Sequence, residues 1–326
     1  MIPPFKYLRP GTLEDALAAL SAKPSRLHAG GTDLLGCLRS GIIQAERLVS
    51  LTGLSSLQAF EADEEGGWRL GALVPIASLA EHPRLARSHT GLAEAARSVA
   101  SPQLRNQGTL AGNLCQKPRC WYYRGHFSCL RKGGATCFAR EGDNARHAIF
   151  GSDLCVMVHP SDLAPVLVTL GALARIVGPE GHRVVPIENL YLSPAEDLTR
   201  ETVLSEQEIL TEIYLPPAVP GSYSSYRKVR SRQCWDFALA GVALHLVRKK
   251  GRILRARVVL SGVAPIPWRN RSAEESLVGQ RLDENTIRRA AAAAIEGAEA
   301  LAKNTYKLDL VEGLVREQLT RAAATR

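Results

Sequence analysis

The apolar positions near the start of the chain follow two different spacings. Within residues 12–22 four apolar side chains recur every three or four residues, and Thr12 with Asp15 forms a capping box. This spacing predicts an amphipathic helix. A further helix is expected over residues 91–100, where the Ser101-Pro102 pair ends it. Short apolar runs predict strands at 26–29, 48–51 and 68–72.

From residue 163 onward the pattern predicts strands and turns. Two apolar runs around a Gly-Pro-Glu-Gly turn predict a hairpin, and a later strand is ended by the Pro216-Pro217 pair. Ser272 with Glu275 offers a second capping box, from which helices are expected to run to about residue 321. The strands are expected at 172–177, 183–186, 209–215, 223–229, 242–247 and 257–262.

These elements predict an α+β protein built in three units, at 1–55, 56–217 and 218–326. The first boundary follows a short strand, and the second is the proline pair. No apolar run approaches the roughly 18 to 20 residues of a membrane-spanning helix. The residues from Met1 to Lys6 carry no secretory signal pattern. We therefore expect a cytoplasmic protein. A periplasmic location would require export together with a partner that carries a signal.

Composition and charge fit an ordinary globular protein. Of 326 residues, 45% are hydrophobic and 22% are charged, and the formal net charge is +9. Basic clusters lie at 227–232 and 248–257. They carry no series of aromatic residues of the kind that single-stranded nucleic acids stack on, so a solvated face or an acidic partner is favoured over nucleic acid.

Two glycine-rich loops are the first candidates for chemistry. Residues 27–34 contain Gly30 and Gly31, and residues 106–114 contain two more glycines and a threonine. Glycines let backbone amides approach an anion closely, so two such loops could grip the two phosphates of one dinucleotide. The first loop matches neither the Walker fingerprint nor the dinucleotide-binding one. For the first loop alone, a plain turn between strand and helix stays open.

Together with the segments 160–165, 208–210 and 226–230, in this order, the loops resemble the FAD-binding subunit of molybdenum hydroxylases. The resemblance covers nearly the whole chain. It implies a two-part FAD-binding domain of the vanillyl-alcohol-oxidase and CO-dehydrogenase flavoprotein type, followed by a C-terminal α+β domain with an antiparallel sheet and helices.

The resemblance also implies which residues hold FAD. For two of these residues a role outside FAD binding stays open: Asp162 could belong to a surface turn, and Lys228 could be a solvated surface charge. No catalytic residue is expected, because substrate chemistry would take place on another subunit. The implied FAD-binding residues are Ala29, Gly30, Gly31, Thr32, Asp33, Leu34, Thr109, Gly112, Asn113, Asp162, Leu210 and Lys228.

Five of the seven cysteines fall between Cys115 and Cys155. In a chain without a secretion signal, such clustering favours metal or cluster ligands over disulfides. The spacing matches neither ferredoxin pattern. From the residues alone, an iron–sulfur cluster, a zinc site supplemented by histidines and unligated core cysteines all stay open. The candidate histidines are His126, His147 and His159.

The resemblance narrows these alternatives. A subset of the family carries an insertion, here at about 115–156, that holds an additional 4Fe-4S cluster; this subset includes 4-hydroxybenzoyl-CoA reductase and some bacterial aldehyde oxidoreductases. In that subset the ligands would be Cys120, Cys129, Cys137 and Cys155, with Cys115 left over unless it replaces one of the four. Arg119, Arg124, Arg131 and Lys132 would offset the negative charge of the cluster.

The resemblance finally implies a function. The chain would be the electron-transfer subunit of a heterotrimer, or a dimer of heterotrimers, with a large molybdenum-cofactor subunit and a small subunit holding two 2Fe-2S clusters. Its substrate could be an aldehyde, a xanthine or other N-heterocycle, or a hydroxybenzoyl-CoA thioester, and the insertion length favours the aldehyde type. The alternatives are a zinc-stabilised basic nucleic-acid-binding protein and a free-standing flavin oxidase.

Overall fold

The computed structural model describes residues 2–22 and 24–325. Three residues lie outside this description: Met1, Lys23 and Arg326. Met1 begins the segment that was searched for a secretory signal, and Arg326 ends the third predicted unit. Within the described part, no helix has the length and apolar character needed to cross a bilayer.

The first unit is a small parallel sheet with strand order β1-β3-β2. The expected first helix is confirmed: the Thr12 hydroxyl accepts a hydrogen bond from the Asp15 amide at 3.1 Å. Its apolar face, with Ala16 and Leu20, packs on the sheet beside Val49. The elements are β1 (Lys6–Leu8), α1 (Leu13–Ser21), β2 (Ser25–His28), α2 (Leu34–Arg39) and β3 (Arg47–Ser50).

The second unit is an antiparallel sheet with order β4-β5-β8-β6-β7, covered by helices. Its elements are β4 (Phe60–Ala62), β5 (Trp68–Gly71), α3 (Ile76–Glu81), α4 (Pro83–Ser88), α5 (Thr90–Ser98), α6 (Pro102–Gln107), α7 (Leu110–Leu114), α8 (Trp121–Arg124), α9 (Leu163–Leu170), β6 (Leu173–Gly178), β7 (Gly181–Pro186) and β8 (Ile209–Leu215).

Two helices of this unit correct the sequence expectations. The strands and turns expected from residue 163 are preceded by α9, which is buried along seven of its eight residues. A helix that is apolar all round shows no amphipathic period, so its pattern is not distinguishable from that of a buried strand. After Ser101 the chain starts α6, because proline is favoured in the first turn of a helix and the Ser101 hydroxyl caps it.

The third unit is an antiparallel sheet with order β12-β11-β10-β9, packed on three helices. The expected capping box at Ser272 is wrong: the cap is Asn270, whose side-chain oxygen accepts from the Ala273 amide at 3.0 Å. The elements are β9 (Ser222–Val229), β10 (Ala240–Lys249), β11 (Arg252–Ser261), β12 (Trp268–Arg269), α10 (Arg271–Leu277), α11 (Glu284–Ala293) and α12 (Tyr306–Ala324). Each sheet draws its strands from one predicted unit, and the unit boundaries stay predictions.

The cysteine-rich segment is anchored to the third unit. Lys307 is fully buried, and its ammonium donates to the carbonyls of His147 at 2.8 Å and Gly262 at 2.7 Å. Burial lowers the pKa of Lys307 to about 7. Asn304 donates to the carbonyls of His147 and Ala148, both at 3.1 Å. These bonds hold the segment in a fixed position relative to α12.

Candidate functional site

The glycine-rich loops line a cleft with two lobes. The larger lobe is a cavity of 470 Å³ and the smaller one of 220 Å³. Thr32, Asp33, Gly112 and Gln116 line both lobes and mark where they meet. All twelve residues expected to hold FAD line the cleft. Asn113, Asp162 and Lys228 line only the larger lobe, whereas Ala29, Gly30, Gly31, Leu34, Thr109 and Leu210 line only the smaller one.

The two loops contact each other directly at Gly30. A Cβ atom there would overlap the carbonyl oxygen of Gln107 and lie 2.9 Å from its carbonyl carbon. The Gln107 side-chain amide donates to the Gly30 carbonyl at 3.1 Å. Gly31 follows with φ of +70°, a conformation that favours glycine. Glycine is therefore required here by loop packing, in addition to any close approach of a phosphate.

Thr32 supplies a hydroxyl where the lobes meet, and Thr109 supplies one in the smaller lobe. The Thr109 oxygen accepts from the Gly112 amide at 3.2 Å, which caps α7 and still leaves its hydroxyl hydrogen free to donate. A Cβ on Gly112 would lie 2.8 Å from that oxygen. Thr32 is exposed and lines both lobes. A cradle that a Cβ would fill, beside two hydroxyls, fits the pyrophosphate of a dinucleotide.

Asp162 and Lys228 form a buried ion pair, so their alternative as solvated surface groups is wrong. The Lys228 ammonium lies 2.7 Å from one carboxylate oxygen, and the side chains are 3% and 6% exposed. Tyr226 donates to the other carboxylate oxygen at 2.7 Å. Sequence reasoning left Tyr226 out of the site. The sequence did contain a signal for Tyr226. Side chains two residues apart in a strand point to the same face, so Tyr226 and Lys228 share one face of β9.

Lys228→Met should lower the free energy of unfolding by about 3–5 kcal/mol, because the Asp162 carboxylate is left buried and unpaired. Arg227→Met is the matched control on the same strand. Its partner Glu317 is 52% exposed, so the loss should stay below about 1 kcal/mol. Urea denaturation measures both. Adding Asp162→Asn to Lys228→Met should recover part of the loss, and a strictly additive double variant would contradict the pairing.

Asp33 links the first glycine loop to the cysteine-rich segment. Its carboxylate lies 2.8 Å from Arg119 and 2.8 Å from Arg124, and it accepts from the Lys117 amide at 2.8 Å. Burial alone would raise the pKa of Asp33, but the two guanidiniums hold it below its usual value. Asp33 is therefore a charged anchor for residues 117–124, and its carboxylate is already saturated by protein donors.

Four cysteines line one small cavity: Cys120, Cys129, Cys137 and Cys155. Cys115 lies elsewhere, on the smaller lobe of the cleft. All seven cysteines are free thiols. Burial raises the pKa of the Cys120 thiol to about 11, although hydrogen bonds from the Tyr122 and Tyr123 amides act in the opposite direction. The neighbouring Cys155 and Cys129 add to the rise.

The rest of the cavity wall is apolar or aromatic except for Arg131. Of the four basic residues expected to offset a cluster, Arg131 alone lines the cavity. It pairs with Glu201, which also pairs with Lys117. Arg119 and Arg124 are engaged with Asp33 instead.

The histidines do not complete a zinc site. In residues 2–22 and 24–325, no group of three or more His, Cys, Asp or Glu side chains is arranged to hold a metal ion. His147 approaches Cys120 Sγ at 3.2 Å, while His159 packs edge-on against Tyr191 and His126 is exposed. The four thiols line one cavity, and in the described part of the chain they are not arranged around a single ion either.

An aromatic loop forms one wall of the larger lobe and was not expected from the sequence. Trp235 has φ of +52° and donates its amide to the carbonyl of Ala100, itself at φ +43°, at 3.2 Å. The Arg119 guanidinium stacks 4.7 Å from the ring centre of Phe237. Two non-glycine residues at positive φ store backbone strain beside the cleft. No pattern of residue types marks such a conformation in advance.

Comparisons with known proteins agree with this geometry. The family model of the FAD binding domain in molybdopterin dehydrogenase matches residues 3–218, and that of the CO dehydrogenase flavoprotein C-terminal domain matches residues 197–322. The chain is 36% identical over 326 residues to the aldehyde oxidoreductase FAD-binding subunit PaoB of Escherichia coli K12, with 98% of each chain covered.

More distant relatives have the same extent. The carbon monoxide dehydrogenase medium chain of Hydrogenophaga pseudoflava is 28% identical over 332 residues, with 99% of each chain covered. A solved structure of that organism's carbon monoxide dehydrogenase matches with a TM-score of 0.78 at 25% identity, again over 99% of each chain.

Fold and cleft together define an FAD-binding subunit of an oxidoreductase. The chain belongs to the molybdenum hydroxylase and CO dehydrogenase family, as an FAD-binding medium subunit. The expected α+β fold of the CO-dehydrogenase flavoprotein type is thereby confirmed.

Proposed function

We propose that this chain is the electron-transfer subunit of a molybdenum hydroxylase complex and holds both FAD and a 4Fe-4S cluster. The observation that carries the proposal is the cavity lined by Cys120, Cys129, Cys137 and Cys155, which lies in a segment tied to the FAD loop through Asp33. Cluster and flavin would then occupy positions fixed relative to each other, as electron transfer between them requires.

The proposed FAD site uses the cleft residues in distinct ways. The amides of the loops from Ala29 to Leu34 and from Thr109 to Asn113, with the hydroxyls of Thr32 and Thr109, would bind the pyrophosphate. Leu34 and Leu210 give the smaller lobe apolar walls. Asp162 and Lys228 would present a polar edge in the larger lobe. Bound FAD would supply the redox chemistry, and the chain would supply position and shielding from water.

Cofactor content tests the proposal. The purified chain should contain one FAD and about four irons, with zinc well below one equivalent, and reduction should produce the paramagnetic signal of a single 4Fe-4S cluster. A chain with FAD and one zinc but no iron would contradict the cluster. A chain with neither flavin nor iron would support the nucleic-acid-binding alternative, which has no support in the family match.

The partners and the substrate are part of the same proposal. We infer a large molybdenum-cofactor subunit and a small subunit with two 2Fe-2S clusters, in a heterotrimer or its dimer. An aldehyde is the favoured substrate, because the relative at 36% identity is a subunit of an aldehyde oxidoreductase. The cytoplasm, or the periplasm through a partner that carries a signal, stays a prediction.

Co-expression with the neighbouring coding sequences tests these partners. The chain should co-purify with both subunits, and the complex should oxidise benzaldehyde at least about tenfold faster than xanthine, measured as kcat/KM with an artificial acceptor. The isolated chain should oxidise neither. Aldehyde oxidation by the isolated chain would instead support the free-standing flavin oxidase.

A further inference from the structure

A second polar cavity lies between the second and third units, away from the cleft and from the cysteines. It has a volume of 270 Å³, roughly twenty times what a single water needs. Helix α9 ends at one side of it, β10 and β11 form another, and the linker after β8 crosses it. None of its lining residues contributes to either lobe of the cleft or to the cysteine cavity.

The charges on its lining are all positive. Arg255 and Arg257 project from β11 and carry this charge, and the described lining includes no carboxylate. His89 and His245 lie beside them, and burial lowers the pKa of both imidazoles, that of His245 to about 4. Glu188 and Glu274 act electrostatically on Arg257 from outside the recess, and both are paired with Arg269. The cavity is therefore a positively charged recess without an internal counter-charge.

Several polar groups in the recess have no partner within residues 2–22 and 24–325. Arg255 lies exposed at the mouth of the recess, so its guanidinium is open to solvent. His245 is 5% exposed and its Nδ1 is unpaired, and the buried hydroxyl of Ser224 is unpaired too. Arg257 gives one N–H to the carbonyl of Val168 at 2.9 Å and keeps its other donors. Buried polar groups normally have partners, so His245 Nδ1 and the Ser224 hydroxyl are available to an occupant of the recess.

We propose that this recess binds a small oxyanion of the phosphate class, either free phosphate or the phosphate of a small organic monoester. Arg255 and Arg257 bind its negative charge, and Ser224 with His245 donates hydrogen bonds to its oxygens. Guanidiniums match phosphate oxygens bidentately, which favours this class over a halide. Because the site joins α9, β11 and the linker between two units, the bound anion clamps those units together.

Isothermal titration of the full chain, saturated with FAD so that the cleft is filled, tests the proposal at constant ionic strength. Inorganic phosphate, glycerol 3-phosphate and chloride are titrated separately. We expect saturable binding of one phosphate or monoester per chain, no saturable binding of chloride, and a rise in Tm with the anion. Tighter binding of glycerol 3-phosphate identifies an organic monoester as the ligand, and equal binding identifies free phosphate.

Variants locate the site. Arg255→Gln should weaken binding about tenfold, as expected for a lost charged hydrogen bond. Arg255→Lys keeps the charge but loses the bidentate fork, so its affinity should lie between those of the original chain and Arg255→Gln. Arg316→Gln is the matched control, because it removes one exposed positive charge on α12, outside the recess. Absence of saturable binding, or equal weakening by Arg255→Gln and Arg316→Gln, would overturn the proposal. FAD absorbance and circular dichroism verify that each variant is folded.

Discussion

Cys129→Ser is expected to reduce the iron content of the purified chain from about four to below one per FAD, while FAD stays bound. Cys129 is buried and lines the same cavity as Cys120, Cys137 and Cys155, so the loss of its thiolate would leave one iron of the proposed cluster without a protein ligand. The flavin cleft shares no lining residue with that cavity, which is why the FAD content should not change. Iron analysis and the cluster's paramagnetic signal measure the result.

Cys115→Ser is the matched control for the ligand set. Cys115 belongs to the same run of cysteines but lies on the smaller lobe of the cleft, and burial raises the pKa of its thiol to about 12. This variant should keep its full iron content, and its effect should be confined to FAD affinity. Loss of iron in Cys115→Ser together with retention of iron in Cys155→Ser would replace Cys155 by Cys115 in the ligand set.

The sequence predicted elements well where local chemistry determines them. Thr12 caps its helix as expected, and the hairpin of β6 and β7 forms around the predicted turn. It failed where tertiary burial determines the structure. The residues of α9 are buried on nearly every side, and Asn270, which directly follows β12, caps α10 in place of Ser272. Neither the spacing of apolar residues nor the helix and strand propensities of single residues reveal which segments are buried by tertiary contacts.

The same distinction applies to the site. The glycine loops and the four cysteines each lie within one stretch of the chain, so the resemblance could propose them residue by residue, and their roles stay predictions. The contacts among them are not visible in a sequence, because Asp33 and Arg124 are far apart along the chain and meet only after folding. The strained pair Ala100 and Trp235 carries no mark in residue type, since any L-residue at positive φ is an exception enforced by its surroundings.

The contact between the two glycine loops yields the last prediction. Gly30→Ala should raise the Kd for FAD by about ten- to a hundredfold, because the added Cβ overlaps the carbonyl oxygen of Gln107. That oxygen belongs to the backbone and cannot rotate away, so the loops must separate. Their separation moves the amides on either side of the junction that would hold the pyrophosphate.

Gly36→Ala is the control for this change, six residues further along. Its Cβ would have Arg124 Nη1, at 3.9 Å, as its nearest contact, and alanine favours α2 by up to about 1 kcal/mol. FAD binding to the apo chain, followed by flavin fluorescence, should therefore be unchanged in Gly36→Ala. Unchanged FAD affinity in Gly30→Ala, with the fold verified by circular dichroism, would place the pyrophosphate away from this junction. If only Gly30→Ala binds FAD more weakly, the cofactor lies at the junction of the loops. The two variants add the same methyl group at positions six residues apart, and only the methyl group at Gly30 overlaps the other loop.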